Sequence, residues 1–233
     1  MARRRRKIKT KWRLEVNYNQ LRTDISKSSR AIQKQVKPIA LGAFEYERDQ
    51  FLEEYKDHGV TQEIEGGPEA SNSSGTLSGI TNLFSFIGFR KGDRPTEAVK
   101  KLIEQYTYLR MNPRVKSVRG AILYTYTGVV PTLSDFFAQT PYPDNWQGGS
   151  WLQGIEKGIS GLNYLLRLPS RGRELDSRSG GAIQSKTRER GSLKFENTKY
   201  FTFLHKKFTS RLNKGVLGTA GRRSGAYGGS GGR

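Results

Sequence analysis

The sequence contains no cysteine, which excludes disulfide bonds and thiolate metal sites. Its two histidines, His58 and His205, lie far apart, and their spacing does not indicate a chelating pair. We expect each of them at the surface or at the boundary of a core. Long apolar runs are also missing, because a membrane-spanning helix needs about 18–20 apolar residues. The best run, residues 80–89, is shorter and contains polar residues.

Motifs for catalysis are also scarce. No Ser/His/Asp set can be placed by spacing, and no His-Glu-x-x-His motif occurs. The glycines at 66, 67 and 75 are not followed by the Gly-Lys-Ser/Thr of a nucleotide-binding loop. The basic N-terminus is not followed by the apolar stretch of a secretory signal. The sequence therefore predicts a protein that is not an enzyme, with no cofactor, no metal, no small-molecule substrate and no membrane segment.

Positive charge is concentrated at the two ends of the chain. Residues 1–30 carry 11 basic and 2 acidic side chains, and residues 167–233 carry 16 and 4. The residues between them carry 14 and 15, so the net charge of +20 divides as +9, −1 and +12. A near-neutral middle can fold without self-repulsion, while cationic ends attract an acidic partner. We therefore predict a basic arm over residues 1–17, one domain over residues 18–213, and a flexible Gly/Arg-rich tail over residues 214–233.

The N-terminal part of the chain predicts an arm and two helices. Residues 1–13 have few large apolar side chains, and we expect them to become ordered only against a partner. A helix is predicted over 24–37, and Pro38 should break it. A second helix over 39–56 carries Leu41, Phe44, Phe51, Leu52 and Tyr55 on one stripe. Its other face carries Glu45, Glu47, Asp49, Glu53 and Glu54, which indicates a solvated surface or a dock for the basic arm of a neighbouring subunit.

The rest of the chain predicts a small sheet with packed helices. A loop over residues 66–75 precedes an apolar stretch over 77–89, which we expect to be mostly buried, with Phe84 and Phe86 near its centre. A helix should start near Asp93 and Pro95 and end by Pro113. Residues 115–127 read as one strand.

The C-terminal third predicts two further helices. Ser150 should cap a helix that reaches Leu166, whose small residues Gly154 and Gly158 permit close contact with another element. A strand or hairpin is predicted over 182–195, and a last helix should begin near Asn197. The predicted fold class is α+β, with N-terminal helices, a small and mostly antiparallel sheet, and extended basic arms.

Candidate interaction residues follow from charge and apolar surface. At the N-terminus, four arginines can pair with carboxylates and one tryptophan can anchor in a pocket. The last helix is amphipathic and carries exposed basic positions. With the loop before the apolar stretch, the candidates are Arg3, Arg4, Arg5, Arg6, Trp12, Ser74, Gly75, Thr76, Leu77, Phe84, Phe86, Lys206, Lys207 and Arg211.

A basic RNA- or DNA-binding protein, of ribosomal or nucleoid type, is the alternative. The sequence pI near 10.3 and the Arg/Gly-rich tail with Tyr227 are typical of proteins that bind phosphate backbones. Against this alternative, the strand over 115–127 has few basic residues among its tyrosines, and the basic residues are concentrated in the tails.

Two short runs resemble a known family. Residues 72–89, with Ser74-Gly75-Thr76-Leu77 in a loop after the N-terminal helices, and residues 177–186, before a strand and a helix, resemble tailed-phage neck and tail-completion proteins. The arginine-rich N-terminus, the Gly/Arg tail and an insertion near 131–149 depart from that pattern.

The resemblance implies a non-catalytic structural subunit of a ring in the virion neck or at the tail end. Its partners would be copies of itself and neighbouring neck or tail proteins, assembled in the host cytoplasm into the virion, and contact with packaged DNA stays open. Rings use head-to-tail interfaces, which suit a subunit whose surfaces differ in charge.

Overall fold

A computed structural model describes residues 7–16, 29–77, 81–118, 121–143, 149–157, 165–167, 179, 183–185 and 198–214. The described chain forms, in order, β1 (Lys7–Val16), α1 (Ser29–Lys56), α2 (Gly59–Glu65), α3 (Leu83–Ile87), α4 (Glu97–Tyr106), β2 (Tyr108–Val118), β3 (Ala121–Pro131), α5 (Leu133–Ala138), α6 (Trp151–Lys157), β4 (Leu165–Arg167), β5 (Ile183–Ser185) and α7 (Phe201–Lys214). A 3-10 turn over Gly67–Glu69 follows α2.

Three strands form the main sheet, in the order β1-β3-β2, and both pairings are antiparallel. The short strands β4 and β5 form a separate antiparallel pair. Helices α1, α4, α5 and α7 all contact strands of the main sheet. The prediction of an α+β fold with a small antiparallel sheet and packed helices is confirmed. No helix within the described ranges combines the length and the apolar character that crossing a membrane requires.

The N-terminal segment forms a strand, so the prediction that it lacks structure of its own is wrong for residues 7–16. β1 pairs along its whole length with β3, from Lys7 opposite Pro131 to Val16 opposite Ile122. The physical reason is a period of two: apolar residues or threonine alternate with charged residues from Lys7 onward, which is typical of a strand with one apolar face. The prediction used only the small number of large apolar residues in the segment and not this alternation.

The predicted break at Pro38 does not occur. Pro38 lies inside α1, which runs without interruption over 28 residues. The predicted apolar stripe is confirmed, because Phe44, Phe51 and Tyr55 are buried and Leu41 and Leu52 are partly buried. A proline removes one N–H donor from a helix, and here the packing of this stripe outweighs that loss.

Two strands replace the single strand predicted over 115–127. β2 and β3 are antiparallel, and their pairing begins with Tyr108 opposite Val129 and ends with Val118 opposite Ala121. α4 ends at Tyr106, well before Pro113, which lies within β2 where the pairing shifts between Arg110 and Arg114. β2 is an edge strand, where a proline and a bulge are tolerated.

The C-terminal helices follow the predictions in part. Ser150 caps α6 as predicted, since its hydroxyl oxygen accepts a hydrogen bond from the Gln153 N–H at 3.2 Å. α6 as described covers Trp151–Lys157, and Leu166 belongs to strand β4 and not to this helix. α7 begins at Phe201, whereas Asn197, the predicted cap, lies outside the described residues.

Aromatic side chains of α1 and α7 form the centre of the core. Phe51 stacks on Phe208 with ring centroids 4.7 Å apart, and Phe136 of α5 meets Phe201 at 4.5 Å. The four apolar residues predicted for the last helix, Phe201, Leu204, Phe208 and Leu212, are all buried. The core thus joins the C-terminal helix α7 to α1 and α5.

Candidate interaction surfaces

The predicted interaction residues are not brought together at one site. Arg3 to Arg6 lie outside the described residues. Trp12 lies in β1 at the register position opposite Tyr126. Leu77, Phe84 and Phe86 are buried in the core, and the prediction that residues 75–89 are mostly buried is confirmed for the described ones. These apolar side chains stabilise the fold, and whether the segment also serves assembly stays a prediction.

Ser74 and Thr76 belong to a hydrogen-bonded loop around a buried carboxylate. Glu63 of α2 is 1% exposed, and its two oxygens accept hydrogen bonds from the backbone N–H groups of Ser74 at 3.0 Å and Leu83 at 2.6 Å. The hydroxyls of Ser74 and Thr76 lie 2.8 Å apart. Gly75 between them has a φ of +69°, a left-handed conformation that favours glycine. The Ser-Gly-Thr-Leu run therefore positions a loop within its own chain.

Asn82 holds the other end of the same loop. Its side-chain N–H₂ donates to the carbonyls of Pro68 and Ala70 at 2.8 and 3.0 Å, and its carbonyl oxygen caps α3 by accepting from the Ser85 N–H. The hydroxyl of Ser179 donates to that of Ser85 at 2.7 Å. The loop before α3 is thus attached to α2, to α3 and to its own turn.

The acidic face of α1 is occupied in part by basic residues of α7. Arg211 donates to Glu47 at 2.6 Å and to Glu54 at 2.7 Å, and Lys207 contacts Glu54 at 2.8 Å. Lys206 is exposed. The expectation that this face is purely solvated, or docks a neighbour's arm, is therefore wrong for Glu47 and Glu54. Instead, α7, a basic helix of the same chain that is distant in sequence, forms ion pairs with these two carboxylates.

Both histidines have structural hydrogen bonds. His58 caps α2, where its Nδ1 accepts from the Val60 N–H at 3.3 Å. His205 is buried, which corrects the surface prediction, and its Nε2–H donates to the Pro131 carbonyl at 3.0 Å. Burial lowers the pKa of both rings, and a hydrogen bond with the backbone of Lys199 (for His58) or Pro131 (for His205) acts in the opposite direction. Neutral rings are thus favoured at both positions.

A buried hydroxyl pair lies beside His58. The hydroxyls of Thr61 and Tyr200 are 2.6 Å apart, and the ring of Tyr200 lies 4.7 Å from that of His58. Burial raises the pKa of Tyr200 well above its ordinary value, so this phenol stays protonated. The arrangement is a satisfied core contact between α2 and the start of α7.

A cleft of about 310 Å³ opens between the turn after Phe89 and the loop after α5. Tyr142 forms one wall, and its hydroxyl approaches Gly154 of α6 so closely that a Cβ there would lie 1.8 Å away. The expectation that Gly154 permits close contact with another element is therefore confirmed, whereas Gly158 lies outside the described residues. Within the described ranges no three metal-ligating side chains converge, at this cleft or elsewhere.

One face of α1 is apolar and mostly exposed, with Ala43 partly buried. Ile39, Gly42, Ala43 and Tyr46 follow the i, i+3, i+4, i+7 spacing of one helix face. Ile39 is 55% exposed and Tyr46 39%, and a Cβ built on Gly42 meets nothing within 4 Å. We call these four residues the open α1 face.

The main sheet also has a basic face. Across the sheet, Lys11 and Arg110 lie opposite Thr127 from its two sides, while Arg13 and Arg114 lie opposite Thr125. Tyr124 and Tyr126, on the other face of β3, are buried in the core. Residues directly opposite one another share a face. With the next residues along the outer strands, the basic sheet face comprises Lys9, Lys11, Arg13, Arg110, Arg114, Lys116, Thr125 and Thr127.

This face corrects the expectation that basic residues are concentrated in tails. The alternation of charged residues in 7–13 was the signal that could have revealed it, but only the pairing of β1 with β3 brings both outer strands to one side.

Comparison with known proteins provides no further assignment. No family model, no curated protein and no solved structure matches this chain.

Proposed function

We propose that this chain is a structural subunit of a phage virion neck or tail-terminus ring, which joins the head connector to the tail by assembly with copies of itself. The resemblance of residues 72–89 and 177–186 suggests the family. The observation that carries the proposal is the open α1 face, since the other large apolar residues of this helix's middle are buried or partly buried. An apolar helix face whose large side chains, Ile39 and Tyr46, are exposed to 55% and 39% is typical of an interaction surface.

A ring needs two different surfaces on each subunit, because its interfaces are heterologous. A second exposed apolar side chain, Phe203 of α7, is 55% exposed. α7 runs along the C-terminal half of α1, where Tyr55 stacks on Tyr200. Tyr55 is 16 residues from Ile39, which is about 24 Å along the helix. The two apolar positions are therefore well separated, as a head-to-tail contact requires.

Gly42→Leu tests the role of the open α1 face without damaging the fold. The new side chain meets open space within the described structure, and leucine favours helix more than glycine does. In the wild-type protein, light scattering at moderate salt after nuclease treatment should give the mass of a closed oligomer. Gly42→Leu should give a smaller species with unchanged or higher stability.

Lys37→Leu is the matched control, because Lys37 is exposed on the same helix but points about 140° away from Gly42. This variant should assemble like the wild type. A wild-type monomer, or a Gly42→Leu oligomer of unchanged mass, would contradict the proposal.

The second candidate function, a basic RNA- or DNA-binding protein, is favoured by the basic sheet face. The two functions are compatible, because the open α1 face and the basic sheet face consist of different residues.

A further inference from the structure

We propose that the basic sheet face binds the sugar-phosphate backbone of nucleic acid, without dependence on base sequence. This inference does not rest on ring assembly, since it uses none of the residues of the open α1 face. Six basic residues, Lys9, Lys11, Arg13, Arg110, Arg114 and Lys116, share the face, and Glu15 is the acidic residue at its end.

The basic residues of the sheet face differ from Arg211 and Lys100, which are paired with carboxylates of the described chain. Arg211 contacts Glu47 and Glu54, and Lys100 contacts Glu65 at 2.7 Å and Glu97 at 3.1 Å. Arg110 and Arg114 are exposed, and neither forms an ion pair with any described residue. Exposed cations such as Arg110 and Arg114, which have no counter-charge among the described residues, attract an external polyanion.

The pairing fixes the intervals between the basic positions, although the register shift between Arg110 and Arg114 interrupts the alternation in β2. Alternate residues of a strand lie about 7 Å apart, and the outer strands of a three-stranded sheet lie about 10 Å apart. The basic positions therefore lie in two rows, one along β1 and one along β2, with Thr125 and Thr127 between them on β3. Both threonines are partly exposed, and hydroxyls join Arg and Lys in contacts to phosphate oxygens.

The residues of this face also indicate the kind of partner. A protein partner usually anchors a buried apolar or aromatic hot spot at the centre of an interface. Between the basic positions, β3 presents Thr125 and Thr127, and the apolar residues Leu123 and Val129 lie beyond them, towards the two ends of the face. Tyr108, 40% exposed, lies at its margin, opposite Val129 on the same side of the sheet. An aromatic ring beside cations is a stacking position for an unpaired base. These features favour nucleic acid over an acidic protein.

The test measures binding of the full-length protein to a fluorescent 30-base-pair duplex and to its single strand, by anisotropy across a range of salt concentrations. Each phosphate contact contributes about 0.9 to the slope of log affinity against log salt for duplex, and about 0.7 for single strand. Arg110→Gln combined with Arg114→Gln should lower the duplex slope by about 2 and raise the Kd at 100 mM salt about tenfold or more. Salt-dependent binding of either probe with this loss supports the proposal, and the two probes show which form is preferred.

Lys206→Gln combined with Lys214→Gln is the charge-matched control, since both lysines are exposed on α7. This control should lower the slope of log affinity against log salt much less than the Arg110/Arg114 double variant does. Equal losses in both double variants would mean diffuse attraction and would overturn the proposal, as would no loss in the sheet variant or no binding by the wild type. Equally tight binding of polyglutamate, lost in the same sheet variant, would indicate an acidic protein partner instead and would also overturn it.

Discussion

Glu63 connects three segments that have no regular pairing with one another. Its carboxylate is almost fully buried, yet it accepts backbone N–H groups from the loop at Ser74 and from the first turn of α3 at Leu83. Burial raises the pKa of Glu63 above its ordinary value, and the hydrogen bonds from Ser74 and Leu83 act in the opposite direction. The ionisation state of Glu63 is therefore coupled to the position of the loop at Ser74.

The pH dependence of stability should reveal this coupling. Because the folded-state pKa of Glu63 is raised, its contribution to the free energy of unfolding is fully present below its unfolded pKa and is lost as pH rises through the folded pKa. Glu63→Gln removes the titration. The free energy of unfolding of the wild type minus that of Glu63→Gln, measured in urea, should fall as pH rises from about 4 to 7. A difference that stays flat or grows over this range would be inconsistent with a raised pKa.

Arg211 and Lys207 contact the same carboxylate in different surroundings. Arg211 bridges Glu47 and Glu54 in a partly buried site, whereas the Lys207 side chain is 48% exposed. Arg211→Ala leaves two carboxylates without their common partner and should lower the free energy of unfolding by about 1–3 kcal/mol. Lys207→Ala should change it by less than about 0.5 kcal/mol. Equal effects of the two substitutions in urea denaturation would show that the bridge has no special role.

At the scale of elements, two glycines in helix interiors have opposite surroundings. Gly42 of α1 faces open space, whereas Gly154 of α6 lies under the Tyr142 hydroxyl. In each helix, alanine is intrinsically favoured over glycine by roughly 1 kcal/mol. If substitution by alanine changes the stability of the protein differently at Gly42 and at Gly154, the difference must therefore come from packing against other elements.

Gly42→Ala should stabilise the protein by about 0.5–1 kcal/mol. Gly154→Ala should lose that gain, because the added methyl displaces Tyr142, and should recover it in a Tyr142→Ala background. Thermal unfolding of the single and double variants measures this coupling. Additive effects of Gly154→Ala and Tyr142→Ala would show that the two residues do not contact each other.

The strand β1 is an element whose role differs from that of an arm. It supplies one of the two neighbours of the central strand β3. Deletion of residues 2–16 exposes the edge of β3 and should lower the free energy of unfolding by about 2 kcal/mol or more, since each backbone hydrogen bond contributes about 0.5–1.5 kcal/mol. Deletion of residues 2–6, which precede the strand, is the control and should leave stability unchanged in urea denaturation. If the two truncated proteins were equally stable, β1 would contribute nothing to the stability of the fold and would be an unattached arm.

At the scale of the whole molecule, helical periodicity was predictable, whereas the strand period of β1 and the long-range pairings were missed. The stripe of Phe44, Phe51 and Tyr55 and the buried face of α7 follow from helical spacing, and both are confirmed. The pairing of Arg211 with Glu47 spans 164 residues, and that of β1 with β3 joins the N-terminus to the middle of the chain. Such contacts depend on which surfaces meet when the core packs, and no local pattern encodes them. The basic sheet face escaped prediction for the same reason.

These pairings show where part of the positive charge of the two chain ends lies in the folded molecule. The near-neutral middle forms most of the core, and α7 brings basic residues of the C-terminal third onto the acidic face of α1. β1 brings part of the N-terminal charge onto the sheet, beside Arg110 and Arg114. The cationic ends are thus partly folded into two distinct surfaces of the domain.

The mass of the native assembly tests the central claim of a ring subunit most directly. It should be measured by light scattering at moderate salt, with and without nuclease. A ring subunit should give one species whose protein mass is a fixed multiple of 26.3 kDa and is unchanged by nuclease treatment. A monomer, or an assembly that dissociates when nucleic acid is digested, would contradict it.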